Sequence, residues 1–225
     1  MFGSLFIIAT PIGNLEDITL RAISVLRQVA AIACEDTRQT FKLLNKYGIK
    51  KELISYYQPK EGQKIPLILN ILLKGKDVAL VSDSGTPGIS DPGFRLIRDA
   101  LKKGIKVVPV PGPTAFAAAL SASGLPTHQF LFVGFPRPKK EATKKLLLSL
   151  KNVKATLIFY LPARRITDFL QATLDTLGDR QVVIAREMTK IYEEFLRGSN
   201  RDILAQLYKR ELRGEITVLI QGEFR

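Results

Sequence analysis

Apolar and polar positions follow two different rhythms along this chain. Short continuous apolar runs, rich in β-branched residues, occur at 5–9 ("LFIIA"), 31–35 ("AIACE"), 78–82 ("VALVS") and 106–110 ("KVVPV"), and such runs predict buried strands. Between them apolar residues recur at helical intervals, as in Leu20, Ile23, Val25 and Leu26 and in Leu67, Ile68, Ile71 and Leu72. Strand and helix patterns in alternation predict a parallel α/β sheet. Asp91 and Pro92 have the chemistry of an N-cap and a first helical residue, opening "GFRLIRDALKKG", which closes on two lysines and a glycine.

The texture changes at "SGLPTHQFLFVGFPRPKK", 123–140, whose three prolines predict a linker or domain boundary. Four more strands are expected beyond it: "TLIFY" at 156–160, "QVVIARE" at 181–187, "EEFLRG" at 193–198 and "ITVLIQG" at 216–222, with helices between the first two and the last two. The short gap between the middle pair allows a hairpin, so the second sheet is expected to be mixed. The expected division is an N-terminal α/β domain over 1–112 and a C-terminal α/β domain over 113–225, the boundary falling anywhere from 111 to 138.

The first four strands each end in an unusual loop: "TPIGN" (10–14), "CEDTR" (34–38), "SDSGTPGISDPG" (82–93) and "PGPTA" (111–115). In an open parallel sheet the loops at the carboxyl edge form the binding crevice. Glycine beside proline leaves main-chain groups open to close approach by a ligand. Neither G-x-x-x-x-G-K-[ST] nor G-x-G-x-x-G occurs, which disfavours a phosphate-anchored nucleotide. In "CEDTR", one of Glu35 and Asp36 can cap the helix "QTFKLLNKYG", leaving the other and Arg38 to act as a base or a substrate clamp. Cys34 reads as a small buried residue rather than a nucleophile.

Composition narrows the function classes. One cysteine and one histidine in 225 residues exclude an internal disulfide framework and a Cys/His zinc site, leaving only a carboxylate magnesium site open. The first apolar run breaks at Thr10-Pro11 with no basic leader before it, so a soluble cytoplasmic protein with no membrane partner is expected. A formal charge of +13 points to a polyanionic partner. "PRPKKEATKKLLLSLKNVK" carries Arg137, Lys139, Lys140, Lys144, Lys145, Lys151 and Lys154 against Glu141 alone. Lys140, Lys144 and Lys151 are expected on one helical face, opposite Leu146, Leu147 and Leu150. Lys139, Lys140 and Lys144, with Arg164 and Arg165 after "TLIFY", are the candidate contacts to the phosphate backbone of a nucleic acid, RNA or DNA.

The blocks "ATPIGNLEDITLRA", "CEDTR", "VALVSDSGTPGISDPG", "VVPVPGPTAFAAALSASGLP", "FVGF", "ARE(M)TK" and "RGE", in this order over nearly the whole chain, closely resemble the small-subunit ribosomal RNA cytidine 2′-O-methyltransferase family of the tetrapyrrole methylase superfamily. The resemblance implies two α/β domains with S-adenosylmethionine folded into a cleft between them. It implies methylation of a cytidine ribose 2′-hydroxyl in 16S ribosomal RNA, as naked RNA or assembled small subunit, by a homodimer. It also implies cofactor contacts at Asp83, Ser84, Gly85, Thr86 and Pro87, at Thr114 and Ala115, and at Leu161, Ala185 and Thr217. The loop holding Pro11 and Gly13 joins them as a candidate cofactor contact.

Methyl transfer from a sulfonium is an in-line displacement that needs no metal, so catalysis is expected chiefly from positioning. A carboxylate can accept the ribose proton; Glu35 and Asp36 are the candidates, with Arg38 orienting a phosphate or carboxylate. The chain departs from the family pattern at Tyr56–Glu61, "YYQPKE" for "YHEHNE", and at Tyr160–Arg165, "YLPARR" for "YESPHR". Many members also continue into a small helical segment where this chain stops at Arg225, so RNA docking is expected to rely more on the basic surface. Two other readings remain: a methylase of a small tetrapyrrole, and a non-catalytic RNA-binding assembly protein, the latter without RNP-type aromatics.

Overall fold

Four of the five strands of the first sheet come from the apolar runs at 5–9, 31–35, 78–82 and 106–110. The structure, a computed structural model, describes residues 1–58 and 61–223. Pro59 and Lys60, part of the departure at 56–61, and the final residues 224–225 lie outside the described residues. Contacts within the chain divide it into two units, Met1–Thr114 and Ala115–Arg225.

The first unit runs β1 (Leu5–Ile8), α1 (Leu20–Gln28), β2 (Ala31–Cys34), α2 (Thr37–Lys46), β3 (Glu52–Ser55), α3 (Glu61–Leu73), β4 (Val78–Val81), α4 (Phe94–Lys102) and β5 (Val107–Val110). The sheet is wholly parallel in the order β3-β2-β4-β1-β5. Every residue of β2 and β4 is buried, which explains why they read as unbroken apolar runs. Alternate residues serve opposite faces. Ile8, Ile32, Cys34, Ala79 and Val81 pack with Ala22 and Leu26 of α1 and Leu43 and Leu44 of α2. Leu5, Ile7, Ala31, Ala33, Val78 and Leu80 pack with Ile65, Ile68, Leu69 and Leu72 of α3 and Leu96 and Ala100 of α4. Helices α1 and α2 therefore cover one face and α3 and α4 the other.

The helix starts follow from local chemistry. The Thr19 hydroxyl accepts the Ala22 N–H and caps α1, a bond worth about 1 kcal/mol. The expectation of a cap at Asp91 with Pro92 as first helical residue is corrected: α4 begins at Phe94, with Gly93 at its cap and no side-chain cap bond. The reason is the backbone of Gly93, at φ 149° and ψ −35°, which turns the chain between Pro92 and the helix and aims the Gly93 N–H at Glu61. The closing end agrees with the sequence reading, since α4 stops at Lys102 and Gly104 takes φ 71°.

The second unit runs α5 (Ala115–Ser121), β6 (Phe130–Gly134), α6 (Lys140–Ser149), β7 (Thr156–Pro162), α7 (Ile166–Leu177), β8 (Gln181–Arg186), β9 (Glu194–Ser199), α8 (Asn200–Leu207) and β10 (Glu215–Ile220). Its order is β6-β7-β10-β8-β9. Strand β6 runs parallel to β7 while the other neighbours are antiparallel, so the sheet is mixed, as expected, and β8–β9 is the expected hairpin. The proline-rich stretch 123–140 holds edge strand β6, and edge strand β3 of the first sheet was also absent from the sequence reading. Lys151 falls beyond the end of α6 at Ser149 and does not extend the lysine face of that helix.

Candidate functional site

The carboxyl edge of the first sheet has a switch at its centre. Strand β4 leads to α4 on one face, while its neighbours β1 and β2 lead to α1 and α2 on the other. Chains that diverge in this way leave a crevice above the strand ends. The loop after β4 sits at that crevice and is bonded to all three neighbouring loops.

Toward β1, Thr10 and Gly85 form an isolated antiparallel bridge, the Thr10 N–H donating to Gly85 O at 2.8 Å and the Gly85 N–H to Thr10 O at 3.0 Å. The Thr10 hydroxyl donates to Ser82 O at 2.9 Å and the Ser82 hydroxyl to Gly85 O at 3.1 Å. Gly85 lies at φ 84°, and a Cβ there would meet Ile12 Cγ2 at 3.7 Å and Pro113 O at 3.9 Å. The conformation, rather than a clash, demands glycine. Toward β5, the Thr86 and Thr114 hydroxyls lie 2.7 Å apart, and the Thr86 hydroxyl also donates to Pro113 O at 3.3 Å. Toward β2, the Asp36 N–H donates to Asp83 Oδ1 at 2.9 Å. Asp83, Ser84, Gly85, Thr86, Pro87, Thr114, and Pro11 with its buried ring thus belong to one bonded set of loops, with Gly13 exposed at its rim.

The choice left open in "CEDTR" is settled by hydrogen bonds. Asp36 is the N-cap of α2, accepting the Arg38 N–H at 2.8 Å. The Arg38 guanidinium returns to the same carboxylate at 2.6–3.2 Å. The Arg38 side-chain bond, then its backbone bond, hold the Asp36 carboxyl down at about 2. Glu35 has no such partner among the described residues, and it is half-buried. Burial first, then the charges of Asp83 and Asp36, push its pKa up. Loss of water likewise pushes Asp83 up, with the Asp36 charge adding to it and the Asp36 N–H and the Arg38 charge opposing it. Cys34 is fully buried, and burial pushes its thiol pKa up, in keeping with a small core residue.

A residue that the sequence reading missed holds the far limb of the β4 loop. Glu61 is buried, 6% exposed. Its Oε1 accepts the Tyr56 hydroxyl at 2.9 Å and the Gly93 N–H at 3.2 Å, and its Oε2 lies 3.8 Å from Arg95 Nε. A Cβ on Gly93 would meet Gly88 N at 3.2 Å, so Glu61 anchors the point where the loop returns on itself. The only sequence signal was an acid at the end of "YYQPKE".

In the second unit, β10 lies between β7 and β8, and its register sets Thr217 beside both Tyr160 and Ala185. These three share one sheet face. Leu161 faces the opposite way, into the core with Ala163, Ile166 and Ile216, so of the residue only the main chain can meet a ligand on the Thr217 side. Helix α5 begins at Ala115 and packs on β10, and the Phe116 N–H donates to the Tyr160 hydroxyl at 3.0 Å. The sequence reading passed over Tyr160 in this row.

Among the candidate RNA contacts, Lys139, Lys140, Lys144 and Arg164 are exposed. Lys140 Nζ lies 3.9 Å from Asp168 of α7. Arg165 is different: its guanidinium donates to Pro136 O at 2.9 Å and Arg137 O at 3.0 Å. These two bonds pin the β6–α6 connection. Among the described residues no helix is long and apolar enough to cross a membrane.

Comparison with known proteins places this geometry. Residues 4–204 match the family described as Tetrapyrrole (Corrin/Porphyrin) Methylases. The chain is 47% identical over 221 residues to "Ribosomal RNA small subunit methyltransferase I" of Halalkalibacterium halodurans, covering 98% of this chain and 76% of that protein. It is 46% identical to the protein of the same name from Thermotoga maritima, covering 98% and 99%. Among solved structures it resembles a cobalt precorrin-4 methyltransferase of cobalamin biosynthesis, with a TM-score of 0.70, 19% identity and coverage of 97% and 94%. It also resembles a uroporphyrin-III C-methyltransferase of Thermus thermophilus complexed with S-adenosylhomocysteine, with a TM-score of 0.68, 20% identity and coverage of 97% of each chain.

Proposed function

Because the chain belongs to the tetrapyrrole methylase family, we propose that it transfers the methyl group of S-adenosylmethionine to the 2′-hydroxyl of a cytidine ribose in 16S ribosomal RNA. The observation that carries the RNA substrate is the 44–47% identity, over nearly the whole chain, to proteins named as methyltransferases of small-subunit ribosomal RNA. The macrocycle methylases among the solved structures stand at 18–21%. The net charge of +13 suits a phosphate-rich substrate better than one small acid. We further propose that the enzyme acts in the cytoplasm as a homodimer.

The loop residues fit the methyl donor. Two carboxylates with raised pKa values, Glu35 and Asp83, stand at a crevice edge where a cationic ligand would relieve their mutual repulsion. The backbone around Gly85 is glycine-shaped and poor in side chains, as close approach requires. S-adenosylmethionine, when bound, supplies a methyl group on a positively charged sulfur. Residues Asp83–Pro87, with Pro11, Gly13 and Thr114, hold and orient it in the first unit. Ala115, Ala185, Thr217 and the Leu161 main chain are its candidate contacts in the second.

Glu35 is the acid left free to take the 2′-hydroxyl proton as the new bond forms, and its raised pKa brings it nearer the basicity that task requires. Asp36 and Arg38 are committed to one another, so they shape the start of α2 while Arg38 keeps an exposed edge for phosphate. Lys139, Lys140, Lys144 and Arg164 meet RNA backbone. The test is to incubate the protein with labelled S-adenosylmethionine and either small ribosomal subunits or a uroporphyrin-type macrocycle, then locate the label. Label on a cytidine ribose is the expected result; label on the macrocycle sinks the proposal.

A further inference from the structure

Helices α2 and α4 each expose a phenylalanine that the core does not use. On α2 the inward residues are Thr40, Leu43 and Leu44, yet Phe41 is 62% exposed. It stands between Arg38 and Lys42 on a helix with no acidic residue. On α4 the inward residues are Leu96 and Ala100, yet Phe94, the first residue of the helix, is 68% exposed. The Arg98 guanidinium lies 5.7 Å from the centre of its ring, and Arg95 is exposed beside it. An isolated exposed aromatic needs no explanation. Two of them are different when each is set among cations in the first two turns of helices that leave the same sheet edge, Arg98 also meeting Asp99 Oδ1 at 3.1 Å.

Strands β2 and β4 are neighbours, and α2 and α4 diverge from them to opposite faces. The N-terminal ends of the two helices consequently lie at the sheet edge that carries Glu35 and Asp83. Aromatic faces stack unpaired bases of any sequence, and arginine and lysine beside them take the phosphates. The lysine-rich helix α6, Lys140–Ser149, contains no aromatic residue and offers backbone contacts alone. We infer that α2 and α4 form the surface on which unpaired nucleotides of the RNA substrate stack, on Phe41 and Phe94, with Lys42 and Arg98 on the flanking phosphates. The inference rests on the RNA-methylation reading of the same site.

The experiment compares wild type with Phe41→Ala, Phe94→Ala, the double variant, and Lys42→Gln with Arg98→Gln. Binding of small-subunit RNA is measured across a salt series, alongside S-adenosylmethionine affinity and oligomeric state. Each phenylalanine variant is expected to lose about five- to a hundredfold in RNA affinity with an unchanged salt slope. The Lys42→Gln, Arg98→Gln variant is expected to flatten the slope by one to two ion equivalents, roughly. S-adenosylmethionine affinity is expected to stay at the wild-type value throughout. Wild-type RNA affinity in the double phenylalanine variant overturns the inference while leaving the methylation reading standing. So does dissociation of a dimer with RNA affinity intact, since a second copy of the chain then covers these rings. A wild-type protein that neither binds nor methylates RNA overturns both.

Discussion

Replacing Glu61 tests whether the β4 loop is held from behind. Its carboxylate accepts two donors, the hydroxyl of Tyr56, which is 1% exposed, and the N–H of Gly93. Glu61→Ala leaves both without a partner, and each orphaned buried donor costs about 1–3 kcal/mol. The expected loss is therefore about 2–6 kcal/mol, which at roughly 3 °C per kcal/mol lowers the melting temperature by about 6–18 °C. Glu61→Gln keeps an acceptor oxygen and loses only the charge facing Arg95. That ion pair is 3.8 Å long with its arginine 62% exposed, so it contributes at most about 1 kcal/mol. Thermal denaturation of the two variants measures the difference, and calorimetric titration with S-adenosylmethionine measures what it means for the loop. Because Gly93 lies against Gly88, the alanine variant is expected to bind S-adenosylmethionine about tenfold or more weakly, and the glutamine variant nearly as wild type. Equal losses in the two variants would refute the reasoning, since charge and not acceptance of the two donors would then be what matters.

Two further outcomes are expected. Gly85→Val forces a β-branched residue to φ 84°, where a side chain costs at least about 1–2 kcal/mol. Strain relief by breaking the Thr10 bridge should weaken S-adenosylmethionine binding about 5- to 30-fold; unchanged affinity would mean the loop does not hold the cofactor. For Glu35 the sign follows from its raised pKa. The folded protein keeps the Glu35 proton to higher pH than the unfolded chain does, so stability falls as pH climbs above the ordinary value of 4.5 toward the raised one. Single-turnover methylation should rise over that same range as the base is freed. Glu35→Gln should lessen the pH-dependent loss of stability and remove the rise of methylation with pH, so that it is slow where wild-type Glu35 is ionised; a wild-type single-turnover rate there with saturating RNA removes Glu35 from the role of base.

Much of this architecture was legible in the chain because local chemistry and tertiary demand agree there. Strands β2 and β4 are covered on both faces, so their burial is written as unbroken apolar sequence. The two strands that were overlooked, β3 and β6, are both sheet edges. Glu52 of β3 and Phe130 of β6 are exposed, and an edge strand needs neither continuous apolar residues nor strict alternation. The loop blocks at the strand ends could be read as a ligand site because glycine and proline concentrate where backbone must adopt forms other residues resist.

The sequence by itself determined the alternation of strand and helix, the mixed second sheet, the placing of the unusual loops at one edge and the family to which these loops belong. Tertiary structure decided what surrounds the two acids. Glu35 and Asp36 are adjacent and chemically alike; the Asp36 carboxylate caps α2 and pairs with Arg38, two residues away in the chain, but it is the fold that brings Asp83, 47 positions on, to the Asp36 N–H and beside Glu35. The same holds for Arg165, turned inward by two carbonyls, for Leu161, turned to the core by the pleat of its strand, and for Glu61, joined to Gly93 across 32 positions of sequence. A side chain's type is local information; its partners are not, because hydrogen bonds and burial depend on which distant segments the fold brings beside it.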